Sequence, residues 1–213
     1  MIKVEDINVW GFEHAVRGAR NPMNSWSRSD SGWVTTTDCE SPVFRVGPND
    51  LGLLQRLYKA GTEHRTYARM VQVSMDITAP LYWWKEMDRY TIGKSQVSCS
   101  TMHKIADKEF EMDDFSHEHL IDISETVMAE ICRVLNAWRN LYLDSKSKED
   151  WWQIIQLLPS SYNQKRTVCM SYETVFKIIH EREHHKLDEW REFVGLLRSL
   201  PCVKEIMDGM ETE

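Results

Sequence analysis

Pro80 divides two periodicities. Upstream, residues 66–78 alternate: Tyr67, Val71, Val73, Met75 and Ile77 take one face, and Gln72, Ser74, Asp76 and Thr78 take the other. That is the period of a half-buried strand. Downstream, APLYWWKEMDRY opens on a proline, which a first helical turn tolerates because the N–H it lacks has no helical partner there. A helix packed on that strand is expected. It poses a chemical question, because Trp83 and Trp84 stand beside Lys85, Glu86, Asp88 and Arg89, and a polar run, SQVSCSTMHK, follows. A core helix does not need those charges, and a solvated one does not need two tryptophans.

Around this junction, residues 2–9 alternate as a strand and Phe12–Arg20 reads as a short helix. NPMNSWSRSDSG reads as an ordered loop, because Asn, Ser and Gly favour turns. Extended segments are expected near 33–37 and 42–46. A helix over about 49–61 follows, capped by Asn49 or Asp50, with Leu51, Leu54, Leu57 and Tyr58 inward. Residues 116–143 carry Leu120, Ile123, Val127, Ile131, Val134, Leu135, Trp138 and Leu141 at helical spacing. Ser147 opens another helix, which ends before Pro159. KRTVCMSY reads as a short strand, and a single long helix is expected from about Tyr172 to Leu200. No repeat, heptad register or linker divides the chain. The reading is one α+β domain over residues 1–213, with a mainly antiparallel sheet packed with long helices.

At 213 residues the chain can bury a sizeable core, and 42% hydrophobic with 28% charged residues is ordinary globular composition. A net charge of -7 argues against nucleic-acid or anionic-membrane partners, while leaving room for a small anionic substrate in a locally basic pocket. No apolar run approaches the roughly 20 residues of a membrane span. The start, MIKVED, lacks the apolar core of a signal peptide. The five cysteines are scattered, odd in number and never C-x-x-C, which fits reduced thiols in a cytoplasmic protein.

Several residues invite chemical readings. His180-Glu181-Arg182-Glu183-His184 is formally H-E-x-x-H, the spacing that sets two imidazoles on one helix face for zinc. Charged, His-rich helices produce the string by chance, and no third histidine follows at the longer motif's spacing. Arg182 stands in line with the apolar stripe of Val175, Ile179, Trp190, Phe193 and Leu197. A charge there must snorkel, pair with an internal carboxylate, or hold a phosphate or nucleobase through its planar fork. Arg69 poses the same puzzle on the apolar face of its strand. Ser95, Ser98, Ser100 and Thr101, after Gly93, have the groups to bind phosphate, but a Ser-rich turn or strand edge is the favoured reading of the residues alone. Glycine-rich phosphate loops and the G-x-S-x-G elbow are absent. Cys99 and Cys169 lack a diagnostic histidine partner and read as structural thiols.

The order of AGTEH, the alternating strand, APLYWWKEMDRY with its polar sequel, LLPSSYN, and TVCMSYETVFKIIHEREHHKLDEWREF resembles the flavin-dependent thymidylate synthases over most of residues 48–200. It is closest to a divergent branch with W-W-K-E. Counting from Pro80, the family's R-H-R signature falls on Arg89-Tyr90-Thr91, so only its first arginine is kept. The serine that follows falls on Ser98 or Ser100. The asparagine and arginine that open the last long helix fall on Ser171 and Glu173, and the helix arginine that contacts the nucleotide falls on Arg182. The resemblance implies that Arg89, Tyr90, Lys85 and His64 bind FAD. It implies that Arg182, Ser98, Ser100, Glu86 and Arg69 bind a deoxynucleotide. The implied activity is reductive methylation of dUMP to dTMP with methylenetetrahydrofolate and NADPH, in a homotetramer whose sites span subunits, with no protein nucleophile. The degenerate signature keeps open a non-catalytic or repurposed nucleotide-binding paralogue, and the histidine pair a zinc hydrolase. Neither the folate site nor a role for the 17–31 loop can be read.

Overall fold

A computed structural model of the chain describes residues 2–35 and 42–209. In chain order its elements are β1 (Lys3–Trp10), α1 (Phe12–Arg20), β2 (Gly32–Val34), β3 (Val43–Arg45), α2 (Pro48–Lys59), β4 (Gln72–Pro80), α3 (Leu81–Met87), β5 (Lys94–Ser98), α4 (Ile123–Ser145), α5 (Lys148–Leu157), β6 (Asn163–Ser171), α6 (Tyr172–Arg182), α7 (Asp188–Arg198) and α8 (Val203–Asp208). The fold is α+β, with an antiparallel sheet ordered β1-β4-β6-β5 and a separate β2–β3 hairpin. Trp33 pairs with Phe44 across that hairpin, the rings edge to face at 5.5 Å. The extended segment expected at 33–37 lies partly outside the described residues, as does Cys39. Cys99, Cys132, Cys169 and Cys202 are free thiols.

Internal contacts gather the chain into two compact units: Met1–Glu5, Asp76–Arg89 and Gln96–Thr167, and Asp6–Met75, Tyr90–Ser95 and Val168–Glu213. In the first, Ile105, Phe110, Phe115, Met128, Leu135 and Ile154 form a core between α4, α5 and the segment before them. That segment has little regular structure, yet it is tied down. Asn136 exchanges two hydrogen bonds with the Phe110 backbone, at 2.8 and 2.9 Å, and Arg139 Nε donates to the Ala106 carbonyl at 2.9 Å. These satisfy backbone groups that no ladder reaches. The helix expected over 116–143 begins only at Ile123, and its inward residues are Met128, Cys132 and Leu135. Ile123 and Val127 instead stand 77% and 52% exposed. The helix carries two apolar stripes, and the one facing α5 and Phe115 is buried.

In the second unit three expectations are corrected. The strand expected from Thr66 begins at Gln72, because Thr66–Arg69 forms a 3₁₀ turn. Tyr67 is still buried, its hydroxyl donating to the Leu54 carbonyl at 2.8 Å, but Arg69 is exposed and on no strand face. The helix cap is not Asn49 or Asp50. Pro48 opens α2, and the Asp30 carboxylate from the preceding loop accepts from the Asn49 and Asp50 N–H groups at 2.8 and 3.1 Å. The long helix over 172–200 is two helices, α6 and α7, broken after Arg182. Residues 180–186 are all charged or histidine, so a continuous helix there has no apolar face to bury. His185 N donates to the Arg182 carbonyl, and the His185 ring accepts from Leu187 N at 3.2 Å, turning the chain into α7.

Candidate functional site

The aromatic helix α3 gives the opening question a largely structural answer. Trp83, Trp84 and Met87 are fully buried. The Trp84 indole donates to the Gln164 carbonyl at 2.9 Å, and its ring lies under the Arg166 guanidinium, 4.2 Å from the ring centre. Arg166 then donates to Asp88 at 2.8 Å, and Gln96 donates to the same carboxylate at 2.6 Å. One of the four charges thus anchors β6 to the end of α3. Lys85 and Arg89 remain exposed, and among the described residues neither makes an ion pair; Glu86 is half-buried. Ser98 ends β5, exposed, while Ser100 Oγ accepts from His103 N at 3.1 Å, the local turn that competes with a ligand role. The Cys99 backbone is held from both sides, by Lys165 O at 2.9 Å and Gln164 Nε2 at 2.8 Å.

In the second unit, Arg182 ends α6 and is half-buried. Its Nε donates to the Tyr90 hydroxyl at 2.9 Å, and that hydroxyl donates to Glu181 Oε2 at 2.8 Å. Its guanidinium lies 4.7 Å from the centre of the Trp190 ring. The arginine in an apolar stripe is thereby explained. Trp190, on α7, supplies a π face rather than a further turn of one helix, and stacking leaves the guanidinium edge to make hydrogen bonds. Burial pushes the Tyr90 phenol up to about 12, with Arg182 lowering and Glu181 raising it. The sequence shows Glu181 only in the H-E-x-x-H string and Trp190 only in the apolar stripe; the link of Glu181 to Arg182 runs through Tyr90, and Trp190 meets Arg182 across the helix break.

Gly93 fixes the segment after Tyr90. At φ +68°, its ideal Cβ would lie 2.7 Å from Ser171 Oγ and 2.9 Å from Thr174 Oγ1. Its carbonyl accepts from Ser171 N at 2.8 Å, and Ser171 caps α6. Glu173, where the resemblance places an arginine, has one carboxylate oxygen buried with no hydrogen-bond partner among the described residues. Burial raises its pKa, against the opposing charges of Arg65 and Arg69. His64 lines a cavity of about 350 Å³ with Asn21, Glu63, Thr66, Tyr67 and Met70.

The zinc alternative loses its geometric premise. Helix α6 ends at Arg182, so His184 lies in the turn rather than one helical turn above His180, and both are exposed. Among the described residues no three His, Cys, Asp or Glu side chains come together as metal ligands. No described helix is long and apolar enough to cross a membrane.

No family model matches the sequence, and no curated protein matches it. Solved structures do. Thymidylate synthase X from Helicobacter pylori, with FAD and dUMP, superposes at a TM-score of 0.68, with 16% identity over 100% of each chain. A second structure of the flavin-dependent thymidylate synthase from that organism, complexed with FAD and dUMP, gives 0.68 and 18% identity over 98% of each chain. The chain has the fold of the flavin-dependent thymidylate synthases.

Proposed function

We propose that this chain binds FAD and a deoxyuridine nucleotide and carries out a flavin-dependent methylation of dUMP to dTMP, with methylenetetrahydrofolate and NADPH as co-substrates. The observation that carries the reading is the full-length match to two structures of that fold, both holding FAD and dUMP. The residues at hand fit both ligands chemically. Lys85 and Arg89 are exposed cations with no ion pair among the described residues, suited to the diphosphate of FAD. Arg182, stacked on Trp190 and tethered through Nε to Tyr90, has the planar, multi-donor head that recognises a uracil edge or a phosphate. Ser98, Ser100, Glu86 and Arg69 are proposed for the nucleotide, and Tyr90 and His64 for the flavin. Bound flavin would supply the redox step, and the protein would supply orientation and charge. No thiol is asked to act as nucleophile; burial raises the Cys169 pKa. The exposed apolar stripe of α4 supports the accompanying proposal of a homotetramer.

The test is direct. Purified protein should be yellow, with flavin absorbance, and should release the C5 hydrogen of dUMP when given methylenetetrahydrofolate and NADPH. Colourless protein that takes up neither FAD nor dUMP would refute the reading. One observation favours the second reading, a non-catalytic nucleotide-binding relative. Where the signature calls for a histidine, the Tyr90 hydroxyl is engaged by Arg182 and Glu181. Flavin and dUMP binding without C5 hydrogen release would select it.

A further inference from the structure

We propose that the cavity beside the start of α2 is a binding site for a phosphate-bearing small molecule, separate from every residue assigned above. The cavity, of about 780 Å³, is of the size that takes a nucleotide-sized ligand. Three arginines line it, Arg20, Arg28 and Arg56, together with Ser25, Ser27 and Ser29. The only lining acid among the described residues is Asp30, and its carboxylate is already engaged by the first N–H groups of α2. Because Arg20 is paired with the buried Asp50, Arg28 and Arg56 set against Asp30 leave the wall a formal charge of +1, in a chain whose net charge is -7. The sign is reversed locally, and that pattern focuses an anion at one place.

The frame around the cavity is built. Asp50, fully buried, accepts from Arg20 Nε at 2.5 Å, Ser29 Oγ and Ser31 Oγ at 2.6 Å each, and the N–H groups of Asp30 and Ser31 at 3.1 Å each. Arg20 also donates to the Ser25 carbonyl at 3.2 Å, so the loop carrying Ser25–Asp30 is fastened to α2 at both ends. The two remaining arginines have no such duty. The side chains of Arg28 and Arg56 make no hydrogen bond or ion pair with any described residue, and both residues are exposed. Arg56 lies back along α2, its Nη1 3.5 Å from where a Cβ on Gly52 would stand, an ordinary van der Waals distance. Two uncommitted guanidinium forks at a polar cavity suit the several acceptor oxygens of a phosphate dianion. A nucleic-acid backbone is a poor fit, because the overall charge repels it.

Calorimetric titration of the full chain with inorganic pyrophosphate tests this. Arg28→Ala and Arg56→Ala should each weaken binding by about ten-fold or more, the scale of one charge-assisted hydrogen bond. Arg17→Ala, an exposed cation on α1, should leave binding unchanged. Circular dichroism and the thermal midpoint should match the parent in all three, since these side chains hold nothing together. Absence of pyrophosphate binding at millimolar concentration, parent-like binding by both arginine variants, or an equal loss in Arg17→Ala would overturn the proposal. Because the readout is the loss at Arg28 and Arg56, a failure to bind dUMP or FAD would leave it standing.

Discussion

Tyr90 holds Arg182. The arginine Nε donates to the phenol oxygen at 2.9 Å, and the phenol O–H in turn donates a hydrogen bond to Glu181 at 2.8 Å. A guanidinium clamped at Nε and stacked on Trp190 keeps its plane fixed, which a ligand otherwise has to enforce on binding.

Tyr90→Phe should therefore alter how stability depends on alkaline pH. The folded-state phenol titrates at about 12. The unfolded phenol titrates near 10. Between these values the unfolded chain loses a proton that the folded chain keeps. The contribution is therefore whole below about pH 10 and is lost as pH rises through about 12. Burial also raises Tyr67 and Tyr172, so the parent loses stability for several reasons. The Tyr90 share is the difference between parent and Tyr90→Phe in thermal midpoint from pH 9 to 12, and that difference should shrink as pH rises. Parallel curves would show that the phenol titrates normally.

Arg182→Lys should weaken dUMP binding by about 1–3 kcal/mol, because an ammonium reproduces neither the planar fork nor the stack. Flavin retention should change much less, whereas Arg89→Ala should reduce flavin retention first. Calorimetry with dUMP and absorbance after gel filtration separate the two effects. Parent-like dUMP affinity in Arg182→Lys would make this arginine structural.

The sequence makes legible what is local and periodic. The alternation of Val71, Val73, Met75 and Ile77 and the Ser147 cap appear in the structure as written, while Pro80 ends β4 as the extended N-cap of a shorter helix, Leu81–Met87. Arg182 is conspicuous because a charge interrupts apolar spacing. What could not be read depends on contacts distant in sequence. Asp30 caps a helix it does not belong to, and Trp190 meets Arg182 only because the chain turns at His185. The inward face of α4 was ambiguous for a related reason. Two apolar stripes satisfy the same period, and only the partner helix chooses between them.

That outward stripe carries the prediction about assembly. Val127, Ile131, Val134 and Leu157, with Glu130 among them, border a largely apolar cavity of about 300 Å³, and Ile121 and Ile123 near the start of the helix are also exposed. Contiguous apolar surface of this kind marks an interface more often than a free face. Light scattering at micromolar concentration should give the mass of four chains, and Val127→Glu should lower it. A monomeric parent would remove support for shared sites.

Gly93→Ala should destabilise the protein by about 1–3 kcal/mol, the scale of a non-glycine residue held at positive φ with a clash to relieve. The methyl would meet the Ser171 and Thr174 hydroxyls, which already hydrogen-bond each other at 3.1 Å and cannot both withdraw. Urea unfolding measures it. A midpoint equal to the parent's would mean that the 90–95 segment is loosely attached to α6.

Asp50→Ala should cost more, about 3–5 kcal/mol, because it strands a buried guanidinium. Arg20 is 5% exposed and Asp50 is fully buried, so water cannot take over either charge. Three hydroxyl or guanidinium donors and two backbone N–H groups lose their common acceptor at once. The loop of Ser25–Ser31 should then open to protease before the rest of the protein unfolds. Acid gives an independent handle. Burial alone would raise the Asp50 pKa, but Ser29, Ser31 and Arg20 outweigh it and hold the carboxyl below its ordinary value. A folded pKa below the unfolded one means that the contribution is present above the unfolded value, near 4, and is lost as pH falls through the folded value. In the parent, cleavage between residues 25 and 31 should accelerate only at strongly acidic pH, whereas in Asp50→Ala it should be fast already at neutral pH. Equal cleavage of both proteins at pH 7 would show that the ion pair does not fasten this loop.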